Sequence, residues 1–178
     1  LFGLKFRVSD KYPVYHPDVK VFEVFQERAG QSEFMGLFYA DFFPRPSKRG
    51  GAWMTNYYEQ RQGRRPHVSI VCGFTKSTAT KPSLLTMAEV QTLFHEFGHS
   101  LHSLMSRCRY RSLSGTNVYW DFVELPSQMH EKFLLTSEVL GFLKNKDGKT
   151  LPQALIEKIK NANTFNSGFS TVEFLASA

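Results

Sequence analysis

Cysteine is scarce in this chain. Cys72 and Cys108 are the only two in 178 residues. That excludes a disulfide scaffold and leaves two reduced thiols as the expectation. Apolar runs of membrane-spanning length are also missing, which excludes a transmembrane helix. There is no internal repeat, low-complexity tract or proline-rich linker, so nothing divides the chain into modules. The opening, LFGLKFRVSD, has neither an initiator Met nor the pattern of a signal peptide. Acidic residues are outnumbered, 16 against 22 Lys and Arg, giving a formal charge of +6.

What is present is a globular composition, 42% apolar with 17 Phe, long enough for one domain with a real core. The first half reads as strands and loops. Residues 19–25, 34–42 and 67–74 are rich in aromatic and β-branched types and are bounded by Pro, Gly or Ser. The nearly continuous apolar run 34–42 also suits a buried helix, but Gly36 and its aromatics favour strand. After Ser83 the pattern turns helical, with helices expected at about 86–107, 121–143, 151–162 and from 170 onward. Capping signals at Thr86, Asp121, Thr150 and Ser170 mark their starts, and Asp147-Gly148 marks a turn. The fold class is therefore α+β, with strands in the first half and a helical second half.

The most specific stretch is His95-Glu96-Phe97-Gly98-His99. Two His four apart share one face of a helix and can reach one metal ion. The Glu between them projects to where an activated water would sit. Val90, Phe94, Phe97, Leu101 and Leu104 form an apolar stripe on the same predicted helix, roughly opposite the His face. Gly98 costs about 1 kcal/mol against Ala in a helix interior, which close packing at that point would explain.

A catalytic zinc takes three protein ligands and leaves a position open. His102 lies on the same face but about 10.5 Å along the axis from His95, too far for a shared ion on a straight helix. A carboxylate from the next helix is the remaining source. There Asp121, Glu124, Gln128 and Glu131 share one face, and Phe122, Met129, Phe133 and Leu140 the other. Periodicity alone allows any of the three acids. Gln128, one turn beyond Glu124, is placed to accept an N–H from a ligating His.

The run HEFGHSLHSLMSRCRYRSLSGTNVYWDFVELPSQMHEKF resembles the thimet oligopeptidase family of zinc metallopeptidases. LFGLKF, YHPDVKVFEV, PRPSKRGGAWM and SIVCGFTKS upstream fit the same family, and RYRSLSGTN…DFVELPSQ is nearest in wording to its bacterial peptidyl-dipeptidase branch. The resemblance implies a zincin-like catalytic core holding one Zn2+ per chain. His95, His99 and Glu124 would be its ligands, and Glu96 the base that hydrolyses short peptides. It also implies that residues 1–178 are a partial catalytic domain, inactive by itself. The family's His- and Tyr-bearing segment, which stabilises the tetrahedral intermediate, falls beyond Ala178. Substrate-binding residues are therefore left unassigned, and internal cleavage is not separated from removal of C-terminal dipeptides. A cytoplasmic location is expected.

Two further readings accompany this one. A non-catalytic, zinc-stabilised or partner-binding domain is the alternative, but it would have no use for Glu96. The basic run Arg45, Lys48, Arg49, Arg61, Arg64 and Arg65, interleaved with Trp53, Tyr57 and Tyr58, could contact nucleic acid; a solvated loop is the commoner meaning, and no nucleic-acid partner is expected. Residues 67–74 are the candidate edge strand for pairing with a peptide backbone.

Overall fold

The structure, a computed structural model, describes residues 2–176. It separates into two compact units that divide after Lys132.

The first unit is built on a five-stranded mixed sheet. Its strands are β1 (Leu4–Val8), β2 (Lys20–Arg28), β3 (Gln31–Asp41), β4 (Trp53–Tyr58) and β5 (His67–Val71). Their order across the sheet is β1-β2-β3-β5-β4. Only the β3–β5 pair is parallel. The continuous apolar run of β3 follows from its central place, because it is buried on both faces. Met35, Phe38 and Ala40 join Val68, Ile70 and Cys72 in one cluster, while Leu37 and Tyr39 pack with Val19 and Val21 in another. Register slips beside Gly36, whose φ is 146° and where a β-carbon would lie 2.4 Å from the Pro66 carbonyl oxygen. Only glycine fits that position.

One helix covers the first cluster. Helix α1 (Met87–Leu104) starts at the expected capping box, in which Thr86 and Glu89 bond reciprocally. Leu104 enters the cluster, and Phe97 packs edge-on against Phe38 at 5.6 Å. Phe94 turns elsewhere and stacks on His130. Helix α1 therefore lies between the sheet and the helix that carries His130.

That second helical segment differs from the expected single helix over 121–143. It is broken into α2 (Trp120–Val123), α3 (Leu125–Lys132), a 3-10 turn (Phe133–Leu135) and α4 (Ser137–Leu140). Pro126, which cannot bond back along a helix, sits in the first turn of α3. Asp121 lies inside the first turn of α2, with Tyr119 at the cap position. The expected apolar stripe is buried only in part: Leu140 is buried, but Phe122 and Met129 are about half exposed, and Ser127 is the fully buried residue of α3.

Three strand readings also change. β1 and β4 carry no strong signal in the sequence, and β4 takes up aromatics that the sequence places in a basic loop. β5 is internal, so the 67–74 segment is not an edge strand; β4 is the edge on that side. Among the basic residues of that loop, Arg45 and Lys48 are committed to Asp41, which is 1% exposed.

The second unit holds the 3-10 turn, α4, α5 (Gln153–Thr164) and α6 (Ser167–Ala176). The Asp147-Gly148 turn is present, closed by a bridge between Lys144 and Thr150. Thr150 is thus spent outside α5, whose cap position is Pro152. Ser170 and Glu173 fall inside α6 rather than at its start. Among the described residues, no helix is long and apolar enough to cross a membrane.

Candidate metal centre

Helix α1 presents His95 and His99 on one side, and α3 is pressed against it at Gly98. A β-carbon on Gly98 would meet the Ser127 α-carbon at 2.6 Å and the Pro126 carbonyl oxygen at 2.8 Å. The missing side chain lets the backbones of α1 and α3 approach. That approach carries the α2–α3 junction, and with it Glu124, over the two imidazoles.

One ligand atom each from His95, His99 and Glu124 lies within 4.8 Å of the others. Glu124 Oε2 is 3.1 Å from His95 Nε2 and 3.2 Å from His99 Nε2. Ser127 Oγ, 2.9 Å from that same Oε2 and 2.8 Å from the Glu124 carbonyl oxygen, shares its proton between the two acceptors. His102 and Asp121 are not brought into the cluster. The His102 ring instead stands edge-on to Phe122, with centroids 6.2 Å apart. Both residues keep the fates that spacing allows them, one beyond reach along the helix axis and the other on an exposed turn.

Gln128, expected behind a ligating His, is exposed and makes no side-chain hydrogen bond among the described residues. Glu131 occupies that role. Its Oε1 lies 2.6 Å from His95 Nδ1, and Gln91 Nε2 donates to its Oε2 at 2.7 Å. Burial pushes the Glu131 carboxyl upward, but the bonds from His95 and Gln91 outweigh it and hold the group below its ordinary value. The sequence does carry the signal: 131 shares the Glu124 face, and a carboxylate is the better acceptor. The packing of α3 on α1 turns Glu131, not Gln128, toward His95.

The donor set fits a cation. Glu131 as a carboxylate can only accept, so His95 Nδ1 carries the proton. A neutral imidazole then has a lone pair on Nε2. That lone pair faces the Glu124 oxygen, and His99 Nε2 faces the same oxygen. The His95 lone pair and the Glu124 carboxylate repel each other across that space unless a positive charge lies between them. Two imidazoles and one carboxylate are also the ligand types of a catalytic zinc with an open position. Burial depresses the His99 pKa, which keeps its ring neutral and able to ligate.

Glu96 lies on α1 beside this set and is 8% exposed. Burial raises its carboxyl pKa; the nearby His95 and a hydrogen bond from the Met54 backbone amide oppose the rise. Met54 belongs to β4, so the sheet edge runs directly past Glu96. A cavity of about 370 Å³ opens here, lined by His95, Glu96, Glu131, Ala88, Gln91 and Thr92.

Comparison with known proteins places the chain in a family. The family model described as Peptidase family M3 matches residues 1–178. The chain belongs to peptidase family M3. It is 45% identical to a dipeptidyl carboxypeptidase of Escherichia coli over 182 aligned residues, which take in 100% of this chain and 26% of that protein. Oligopeptidase A of Escherichia coli is 37% identical, across 94% of this chain and 25% of the relative. A thimet-like oligopeptidase of Dictyostelium discoideum is 38% identical, across 93% and 26%. The chain thus spans about a quarter of the length of these relatives.

Proposed function

We propose that these residues form the catalytic core of a zinc-dependent, zincin-like peptidase acting on short peptides in the cytoplasm. The observation that carries the proposal is the convergence of His95, His99 and Glu124 on one space, with the buried carboxylate of Glu96 beside it. Membership of a peptidase family supports the reaction class, and relatives named as a dipeptidyl carboxypeptidase and as oligopeptidases support peptides as the substrate class.

In this reading His95, His99 and Glu124 hold one zinc ion per chain. The ion, when bound, supplies Lewis acidity that makes water nucleophilic near neutral pH and polarises a carbonyl. The residues do the rest. Glu131 fixes the His95 ring so that Nε2 faces the ion. Glu96 takes a proton from the attacking water and returns it to the leaving amine. Its raised pKa suits a group that must hold that proton between the two steps. The Met54 amide of β4 favours the ionised form of that carboxylate, the form that accepts the proton. The exposed edge of β4 then offers main-chain donors and acceptors to an extended peptide, which fixes backbone direction without demanding a side-chain sequence.

The test is a pair of measurements on the full-length protein. Metal analysis should find about one zinc per chain, in the wild type and in Glu96→Gln alike. Hydrolysis of fluorogenic peptides should fall by about 10²–10⁴-fold in the variant. Product analysis on blocked and free C-termini separates internal cleavage from dipeptide release. A wild-type protein without zinc, or a Glu96→Gln variant with full activity, overturns the proposal.

A further inference from the structure

A second concave site lies away from the His–Glu cluster, where the chain leaves β4 and returns past the end of α1. Arg61 and Arg64 pair across a tight turn, with Gly63 at φ 74°. This turn is laid on the segment after α1: the Gln62 amide donates to the Arg109 carbonyl at 3.2 Å. Beneath it, the buried Gln60 side chain donates to the Cys108 carbonyl at 2.8 Å and accepts from the Cys108 amide at 2.7 Å. The backbone floor is therefore fixed. The groove above it measures about 570 Å³ and is lined by Arg61, Arg64, Arg65, Arg107 and Arg109, with no acidic side chain in its lining.

The five guanidinium groups are not equivalent. Arg65 is spent on the backbone, donating to the carbonyls of Met35, Ser106 and Leu104. Arg107 is spent on Glu33 through two hydrogen bonds of 2.9 and 2.6 Å. Arg64 lies on the Tyr58 ring at 3.8 Å, and Arg109 is 5.4 Å from the Tyr110 ring. Ring contact holds a guanidinium plane and leaves its N–H edge free. Arg61 has no side-chain partner among the described residues. Three sets of charged donors thus border one small cavity, two of them held by aromatic rings.

A solvated basic turn would let its arginines spread apart. Here the turn is tied down by the Gln62–Arg109 backbone bond, and five arginines line one groove without an acid among them, an arrangement that gains from an anion. We propose that this groove binds a small, multiply charged phosphate anion, such as a pyrophosphate or the phosphate chain of a nucleotide. Guanidinium forks match phosphate oxygens two at a time, and several charges on adjacent phosphorus atoms can meet several arginines within one cavity. A cavity of this size holds a small ligand. It is a local pocket rather than an extended stripe, and Arg45 and Lys48 are already committed to Asp41; both points disfavour a nucleic-acid duplex as the occupant. The inference stands apart from the peptidase reading.

Calorimetric titration of the full-length protein with inorganic pyrophosphate, at constant ionic strength, tests it. Zinc-free protein is titrated in parallel, so that chelation of metal cannot supply the signal. Saturable binding is expected in both preparations. The Arg61→Ala/Arg109→Ala double variant should weaken it at least tenfold, while Arg49→Ala, an exposed charge outside the groove, should leave it unchanged. Adenosine triphosphate bound with equal or greater affinity, and weakened by the same double variant, supports recognition of a nucleotide's phosphate chain. The proposal is overturned by absence of saturable pyrophosphate binding, by equal weakening in Arg49→Ala, or by binding of duplex DNA alone.

Discussion

Gly98 on α1 and Ser127 on α3 approach so closely that a β-carbon on Gly98 would stand 2.6 Å from the Ser127 α-carbon. The metal cluster depends on that contact, because Glu124 sits three residues before Ser127 and is placed by the same packing. Gly98→Ala removes a helix-interior glycine, worth about 1 kcal/mol to α1 by itself. The new methyl group, however, meets main-chain atoms that cannot rotate away, and overpacking of this kind costs about 1–3 kcal/mol. Thermal denaturation should show a net loss of stability. Zinc affinity should fall with it, by tenfold or more in equilibrium dialysis, as Glu124 is pushed off the imidazoles. Tight zinc binding in a stabilised Gly98→Ala protein would show that α3 can shift without moving the ligand.

Glu131 and Gln128 separate cleanly by substitution. Glu131→Gln keeps the shape but weakens the acceptor behind His95 Nδ1, so zinc affinity should drop about 10–100-fold. Gln128→Leu, at an exposed position without a side-chain partner, should bind zinc as the wild type does. Competition with a chromophoric chelator measures both. The reverse ranking would put the amide, not the acid, behind His95.

The ligand set itself predicts a graded response. His95→Ala and His99→Ala should each abolish zinc binding, since each removes one of only two nitrogen donors. Glu124→Gln should weaken it strongly while leaving the fold intact, because the residue lies at an exposed helix junction. Metal analysis after dialysis reads all three. Full zinc occupancy in Glu124→Gln would transfer the third position to another oxygen donor.

Much of this site is legible in the amino-acid sequence. The capping box at Thr86 marks the start of α1, and the four-residue spacing puts His95 and His99 on one face. The cost of Gly98 signals a close approach. What stays hidden depends on contacts distant in sequence. The break after Val123 falls just before Pro126, which suits only a helix start or a kink, but no periodicity within 121–143 reports where it falls. β4 escapes notice because its residues are only partly buried, without the alternation of a half-buried strand. β5 reads as an edge because strand order is a property of the whole sheet. Glu131 is visible as one of three acids on a face, but only the packing of α3 on α1 decides that it meets His95.

Acid stability offers a test remote from the metal. Asp41 is 1% exposed, yet Arg45 donates to it at 2.8 and 2.9 Å, Lys48 at 2.9 Å and Tyr15 at 2.8 Å. Burial alone pushes its carboxyl upward; the bonds from Arg45, Lys48 and Tyr15 together outweigh burial and bring the pKa down to about 2. A carboxyl depressed on folding stabilises the protein above its unfolded value, near 3.8, and that stability is lost as pH falls toward 2. The difference corresponds to about 2 kcal/mol. Asp41→Asn removes the charge at every pH and strands the buried Lys48 ammonium, so at pH 6 it should cost about 3 kcal/mol or more. Denaturant unfolding of both proteins from pH 6 to pH 2 should show the gap narrowing below pH 4, as the protonated Asp41 comes to resemble the amide. A gap that stays constant to pH 2 would mean that the charge of Asp41 does not stabilise the fold, and that the variant loses stability through packing alone.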